Sequence, residues 1–255
     1  MTDLRKQARR TGRIVATIEA RMTSSRLPGK VLLPAGGKPL LSYLVRRLRL
    51  VPSIHEIVLA TTTNPTDDVL EDFARHIGIA SFRGSEEDVM GRVIGAADSV
   101  GADTVVEITG DCPIIDPLLV EQTIRMFLHN PCDFASNSLV RSYPDGMDTQ
   151  VLPLEILKHS AALTRDPLDR EHVTLHICNH PELFRQVCLI APPNLHWPEL
   201  GLTLDEQKDY ELLKRLIEHF GAERPDFGCR EVIELLRSRP EWVAINQSVR
   251  RKGAT

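Results

Sequence analysis

"RIVATIEARMTSSRLPGK", residues 13–30, sets a short hydrophobic run directly against a loop of cations, hydroxyls and a glycine. Arg13 to Ile18 reads as a buried strand. The polar part that follows, with Arg21, Ser24, Ser25, Arg26 and Lys30, reads equally well as a solvated loop or as a cradle for a polyanion. Its spacing is not G-x-x-x-x-G-K-[ST], and no G-x-G-x-x-G is present, so neither a Walker loop nor a dinucleotide fingerprint applies.

Working outward, hydrophobic runs alternate with amphipathic stretches. Pro39 to Leu50 reads as a helix with Leu40, Leu41, Leu44, Val45 and Leu48 on one face. Glu56 to Ala60 is a second strand, and Thr66 to Ile77 a second helix with Thr66 as its N-cap and Gly78 as its stop. Ile79 to Phe82 is a strand, Glu86 to Val100 a helix stopped by Gly101, and Thr104 to Ile108 a strand entering Thr109-Gly110-Asp111. A further helix follows Pro117. Four successive strand–helix units predict an α/β fold with a mostly parallel sheet. Ligands of such sheets bind outside the carboxyl ends of the strands, which places segments 19–30, 61–68 and 109–116 on one rim.

The second half is less regular. Asp133 to Asn137 and Met147 to Leu152 read as strands flanking a turn at Tyr143-Pro144-Asp145-Gly146. Helices are expected at Leu154 to Leu163, Arg170 to Asn179 and Gln207 to Phe220, with a strand at Phe184 to Ile190 and Asp205 at a strand-to-helix junction. The Pro-rich stretch 191–199 reads as a loop at a subdomain edge. There is no internal repeat and no Gly/Ser-rich linker.

At 255 residues, 42% hydrophobic and 26% charged, the chain has the composition of a soluble globular protein with a sizeable core. A net charge of -4 offers no overall field for nucleic acid or anionic membrane, so an anion site must be built locally. Five cysteines without a C-x-x-C pair argue against a disulfide framework or structural zinc and suit a reducing cytoplasm. No stretch approaches the roughly 20 apolar residues of a membrane span. The basic N-terminal stretch lacks the apolar segment of a signal peptide and reads as a solvated arm.

Asp111, just past a buried strand and opposite a basic loop, suits a Mg²⁺–nucleotide site, or else it or Asp116 caps the next helix. Asp205 taken alone reads as an N-cap. His172, His176 and His180 fall four residues apart, but without acidic or Cys partners they read as structural or surface residues rather than a metal stripe. Arg170 and His172 are candidates to face an acidic substrate. Cys112 beside Asp111 has no local base, so packing is its expected role.

Five stretches together resemble the cytidylyltransferase family that makes CMP-activated acidic sugars, above all its spore-coat polysaccharide SpsF-type branch. They are "ARMTSSRLPGKVLLPAGGKPLL", "EIVLATTTNPTDD", "FRGSEEDV", "ITGDCPIIDP" and "YPDGMDTQV" with "DREHVT". A looser match is "LTLDEQKDYELL". The resemblance implies a Rossmann-like nucleotidyltransferase fold related to type-A glycosyltransferases, one domain over 13–245 between a basic arm (1–12) and a tail (246–255). Within it, residues 136–195 would form an acceptor and dimerisation subdomain. It implies a cytoplasmic homodimer that transfers CMP from CTP to an acidic sugar of the 3-deoxy-ulosonic or nonulosonic type with Mg²⁺, releasing pyrophosphate. By carry-over, Arg21, Ser24, Ser25, Arg26 and Lys30 hold the triphosphate, with Arg21, Lys30 and Asp111 catalytic. Asp111 and Asp205 hold the metal, and Arg83, Ser85 and Asp88 lie near the nucleoside or acceptor. Asp145, Asp148, Arg170, Glu171 and His172 line the acceptor pocket. The alternatives are a glycosyltransferase using a nucleotide sugar on the same fold and a non-catalytic nucleotide-binding protein. Position 23 is Thr where that branch usually has Gly, which bears on how closely the backbone approaches phosphate.

Overall fold

The computed structural model describes residues 12–221, 224 and 226–250. The expected basic arm, except for Gly12, and the last five residues of the expected tail lie outside the described residues.

In chain order the strands are β1 (Ile14–Glu19), the two-residue pair β2 (Pro34–Ala35) and β3 (Lys38–Pro39), β4 (Glu56–Thr62) and β5 (Ala80–Gly84). They continue with β6 (Thr104–Thr109), β7 (Phe134–Ser136), β8 (Gln150–Pro153) and β9 (Gln186–Cys188). The helices are α1 (Leu40–Leu48), α2 (Asp68–Ile77), α3 (Val89–Ser99), α4 (Pro117–His129) and α5 (Leu154–Leu163). Two short ones, α6 (Pro167–Glu171) and α7 (Leu175–Asn179), precede α8 (Gln207–Phe220), α9 (Cys229–Arg237) and α10 (Pro240–Asn246).

Among the described residues a seven-stranded mixed sheet runs in the order β5-β4-β1-β6-β8-β7-β9. The first four strands are mutually parallel, β8 is antiparallel to β6 and β7, and β9 pairs parallel with β7. The chain winds outward from β1 to β5 and then returns to place β6 on the other side of β1. Connections therefore leave β1 and β6 in opposite directions, and a crevice opens between their carboxyl ends.

Alternation along β1 explains the two layers. Ile14, Ala16 and Ile18 pack with α1 residues such as Leu44 and Leu48 and with Leu70 of α2 and Ile124 of α4. Val15 meets Val58, Ala60 and Ala96 on the α3 face. A separate cluster joins α8 and α9 to Leu40, Tyr43 and Leu119. The fully buried Arg47 stitches this unit to the sheet by donating to the carbonyls of Ile115 and Phe227, with its guanidinium 4.3 Å from the Phe227 ring centre.

Several local expectations change. Asn64, not Thr66, caps the turn before α2, accepting from the Thr66 N–H at 3.1 Å. Gly78 does end α2, in the left-handed conformation at φ 67°. The helix expected over 170–179 is broken at His172–Thr174, where Val173 has φ 21°. That break separates His172 from the turn carrying His176 and His180. The segment before Asp205 is not a ladder strand; one isolated bridge, Asp145 with Gly201, is its sheet-like contact. Glu206 is the N-cap of α8, in a reciprocal box with Asp209, so Asp205 is free of that duty.

Candidate active site

The site forms where β1 and β6 end side by side, Glu19 in register with Thr109. The Gly110 N–H donates to the Glu19 carbonyl at 2.9 Å, holding the two exit loops together at their roots. A cleft of about 230 Å³ opens above them. Of the residues predicted from sequence, Arg21, Ser24, Ser25, Arg26, Lys30 and Asp111 line it, as do Glu171, His172 and Asp205.

The basic loop is shaped from beneath. Gly29 N–H returns to the Met22 carbonyl at 2.9 Å, closing the loop on itself. The fully buried Asp67 accepts from Met22 N–H at 2.8 Å, and also from the Thr61 hydroxyl and the Thr62 N–H and hydroxyl. One carboxylate thus ties the loop to the end of β4. The Thr23 hydroxyl donates to Glu86, which also accepts from Arg21 at 3.3 Å and Asn64 at 3.2 Å. Thr23 is not at positive φ, so this backbone path needs no glycine there.

At the centre Lys30 Nζ lies 2.9 Å from Asp111 Oδ2 and 3.3 Å from Asp205 Oδ1, and Arg26 Nη2 lies 2.6 Å from Asp205 Oδ1. Burial works against the Lys30 ammonium, but Asp111 and Asp205 outweigh it and raise its pKa. Burial likewise opposes the Asp111 carboxylate, yet Lys30 and the Thr109 hydroxyl hold it below its ordinary value. Two carboxylates converge on one cation; among the described residues no cluster of three or more His, Cys, Asp or Glu forms a metal cage.

The remaining predicted residues do not line the cleft. Arg83 donates to the carbonyls of Thr62 and Asn64 and pairs with Asp68, bracing the loop after β4. Ser85 caps the N–H groups of Glu87 and Asp88, and Asp88 caps α3 through Gly91 N–H at 2.9 Å. Arg170 reaches back to Asp88 at 3.5 Å and to the Ala161 carbonyl. Asp145 and Asp148 both pair with Arg141, at 3.4 and 2.6 Å. Burial pushes Asp148 up to about 6, with Asp145 and Asp111 near enough to add to the effect. Asp116 caps α4 at Leu118 and also accepts from the Cys229 N–H at 2.7 Å, a purely architectural role. His176 bonds Ser160, and its ring lies 4.3 Å from that of His180, away from any carboxylate cluster. Burial holds the Cys112 thiol far above its ordinary value, which leaves it unreactive.

Residues missed by motif reading are Glu19, Arg92 and Glu107. Glu19 and Arg92 line the cleft, and Glu107 lies beneath it, 3% exposed. Arg92 and Glu107 are buried charges set in apolar runs, "VMGRVIGAA" and "TVVEIT", and Glu19 ends another, "IVATIE"; a charge in or at the end of such a run is itself a signal.

A family model described as cytidylyltransferase matches residues 15–228. The chain belongs to the cytidylyltransferase family. It is 36% identical over 233 residues to the spore coat polysaccharide biosynthesis protein SpsF of Bacillus subtilis, covering 89% of this chain and 95% of that protein. A solved cytidylyltransferase from Leptospira borgpetersenii superposes with a TM-score of 0.87 at 31% identity, covering 94% of this chain and 99% of that one. A shorter similarity, 33% over 131 residues, links it to the 8-amino-3,8-dideoxy-manno-octulosonate cytidylyltransferase of Shewanella amazonensis, covering 49% of this chain and 52% of that enzyme. Family membership makes the chain a nucleotidyltransferase and sets aside both the sugar-nucleotide-consuming and the non-catalytic alternatives.

Proposed function

We propose that this cytidylyltransferase moves CMP from CTP to the hydroxyl of an acidic sugar, of the 3-deoxy-ulosonic or nonulosonic type, for surface polysaccharide synthesis. The observation that carries the reading is the convergence of Asp111 and Asp205 on one cation beside Arg26, at the crevice between β1 and β6. The names of the Bacillus and Shewanella relatives support the polysaccharide and acidic-sugar parts.

The donor set fits Mg²⁺. Two carboxylates are what that ion takes from protein when phosphate oxygens and water complete its shell, and Asp111 and Asp205 lie 2.9 and 3.3 Å from one point, the Lys30 ammonium. Bound there, Mg²⁺ would polarise phosphate oxygens and balance charge on the triphosphate. Arg26 and Lys30, with Arg21 at the rim, face the charge that builds on pyrophosphate as it leaves. Ser24 and Ser25 offer hydroxyl donors that orient the phosphates. Glu171 and His172, which line the cleft, take the acceptor side. The acceptor oxygen forms its bond to the α-phosphorus in line with the breaking bond to the β-phosphate bridge. Pyrophosphate carries off the electron pair, and the hydroxyl proton is released. The same reading includes action in the cytoplasm and a homodimer built through residues 136–195. Val140, Leu163, Leu168, Leu183 and Ile190, exposed large hydrophobics of that segment, support the dimer.

The test is a pyrophosphate-release screen of four nucleoside triphosphates against a panel of acidic sugars with Mg²⁺. CTP with one such sugar should give release, and Asp111→Ala should lower it by about 10²-fold or more. Full Mg²⁺-dependent release by Asp111→Ala would sink the assignment.

A further inference from the structure

The cleft is also lined by residues at the end of β1 and on α3. Glu19 closes β1 there, and its Oε2 is buried without any N–H or O–H donor. Its neighbour at that point is the buried carboxyl of Glu107. Burial pushes Glu19 up to about 7 and holds Glu107 well above the usual carboxylate range. A proton held by Glu107 and donated to Glu19 Oε2 would satisfy both groups and leave Glu19 Oε1 as an acceptor.

Arg92 of α3, 4% exposed, lines the same cleft. Nε donates to the Ala60 carbonyl at 3.2 Å and Nη1 to the carbonyls of Ser85 and Glu86, fixing the guanidinium plane. Nη2 is left for the cleft. Val89, one turn earlier on α3, adds an apolar plate.

We propose that Arg92 and Glu19 read the Watson–Crick edge of the nucleotide's base and make the site prefer cytosine to uracil. The assignment rests on the triphosphate reading above: with phosphates at Lys30 and Arg26 and the acceptor at Glu171 and His172, Glu19, Arg92 and Val89 line the part of the cleft left for the base. Its charge decides the ligand class. A cation beside a carboxylate is close to neutral, which suits an uncharged base; a sugar carboxylate at Arg92 would meet Glu19. Cytosine presents two adjacent acceptors, O2 and N3, to the Arg92 N–H groups and its 4-amino donor to Glu19 Oε1. Uracil reverses both contacts, setting N3–H against a donor and O4 against an acceptor. Glu107 is a positioning residue, since its proton fixes Glu19 as the acceptor.

Calorimetric binding of CTP, UTP and the triphosphate of 2-pyrimidinone riboside, which lacks the 4-amino group, tests this with Mg²⁺ and no acceptor. The unaltered protein should favour CTP over UTP by about 100-fold, and the analogue should bind about tenfold more weakly than CTP. Glu19→Gln should cut the CTP:UTP ratio about tenfold, chiefly by gaining UTP, because an amide can turn its N–H₂ toward O4. Arg92→Met should weaken CTP about tenfold. Equal binding of CTP and analogue, no preference over UTP, or an unchanged ratio in both folded variants overturns the assignment and leaves the proposed function standing. The analogue arm needs no variant, so it decides even if a substitution unfolds the chain. Failure of the unaltered protein to bind any pyrimidine triphosphate overturns the proposed function as well.

Discussion

Glu107 shows at the scale of one residue how a functional site is financed by stability. Glu19 and Glu107 hold a proton between them in the folded chain at pH values where an unfolded chain has released both, with burial raising Glu19 to about 7 against an ordinary 4.5. The folded state therefore binds more protons between pH 4.5 and 7, and stability falls as pH rises through that window. Arg92 and Arg21 offset part of the cost, while Asp111 and Asp148 add to it. Glu107→Gln removes one titrating partner and should raise the melting temperature relative to the unaltered protein more at pH 8 than at pH 5. A gain on the order of 3 °C is expected, read by thermal denaturation at both values. An equal effect at both pH values would show that the pair shares no proton.

Between elements, the decisive contact is the close approach of the β1 and β6 exits. A Cβ added at Gly110 would stand 2.7 Å from the Glu19 carbonyl oxygen and 2.9 Å from Ala20 Cβ, so the two loops could not stay joined. Gly110→Ala should cost about 1–3 kcal/mol in urea denaturation, as overpacking does. It should lower kcat/KM further than that loss of stability explains, because Asp111 and Arg21 both ride on the displaced segments. The basic loop after β1 behaves differently. The glycine question at position 23 came from family pattern; in the folded chain the Thr23 hydroxyl anchors the loop to Glu86.

For the whole molecule, the proposed dimer predicts a solution mass of roughly twice the 28.6 kDa chain. Leu168→Asp, at an exposed position of the 136–195 segment, should shift the mass measured by light scattering toward the monomer without altering helix content. A monomeric unaltered protein would remove this part of the reading.

The strand–helix order, the basic loop after β1 and the place of Asp111 at the end of β6 were legible in sequence, because periodicity and turn chemistry act over a few residues. Helices α5 and α8 match their expected bounds for the same reason. Other features depended on partners far along the chain. The 170–179 pattern reads as one helix, yet the chain breaks at Val173, whose side chain is buried against the α3 and α5 cluster. Arg83, Ser85 and Asp88 carry family motifs, but local carbonyls and N–H groups occupy their polar atoms. Lys30 meets Asp111 and Asp205 across 81 and 175 residues, and Glu19 meets Glu107 across two strands adjacent only because β6 returns beside β1. Sequence by itself determined the strand–helix units of the first half and which charges wait at their ends. Tertiary structure alone decided which charges meet, because strand order is set by burying the whole core rather than by any local stretch.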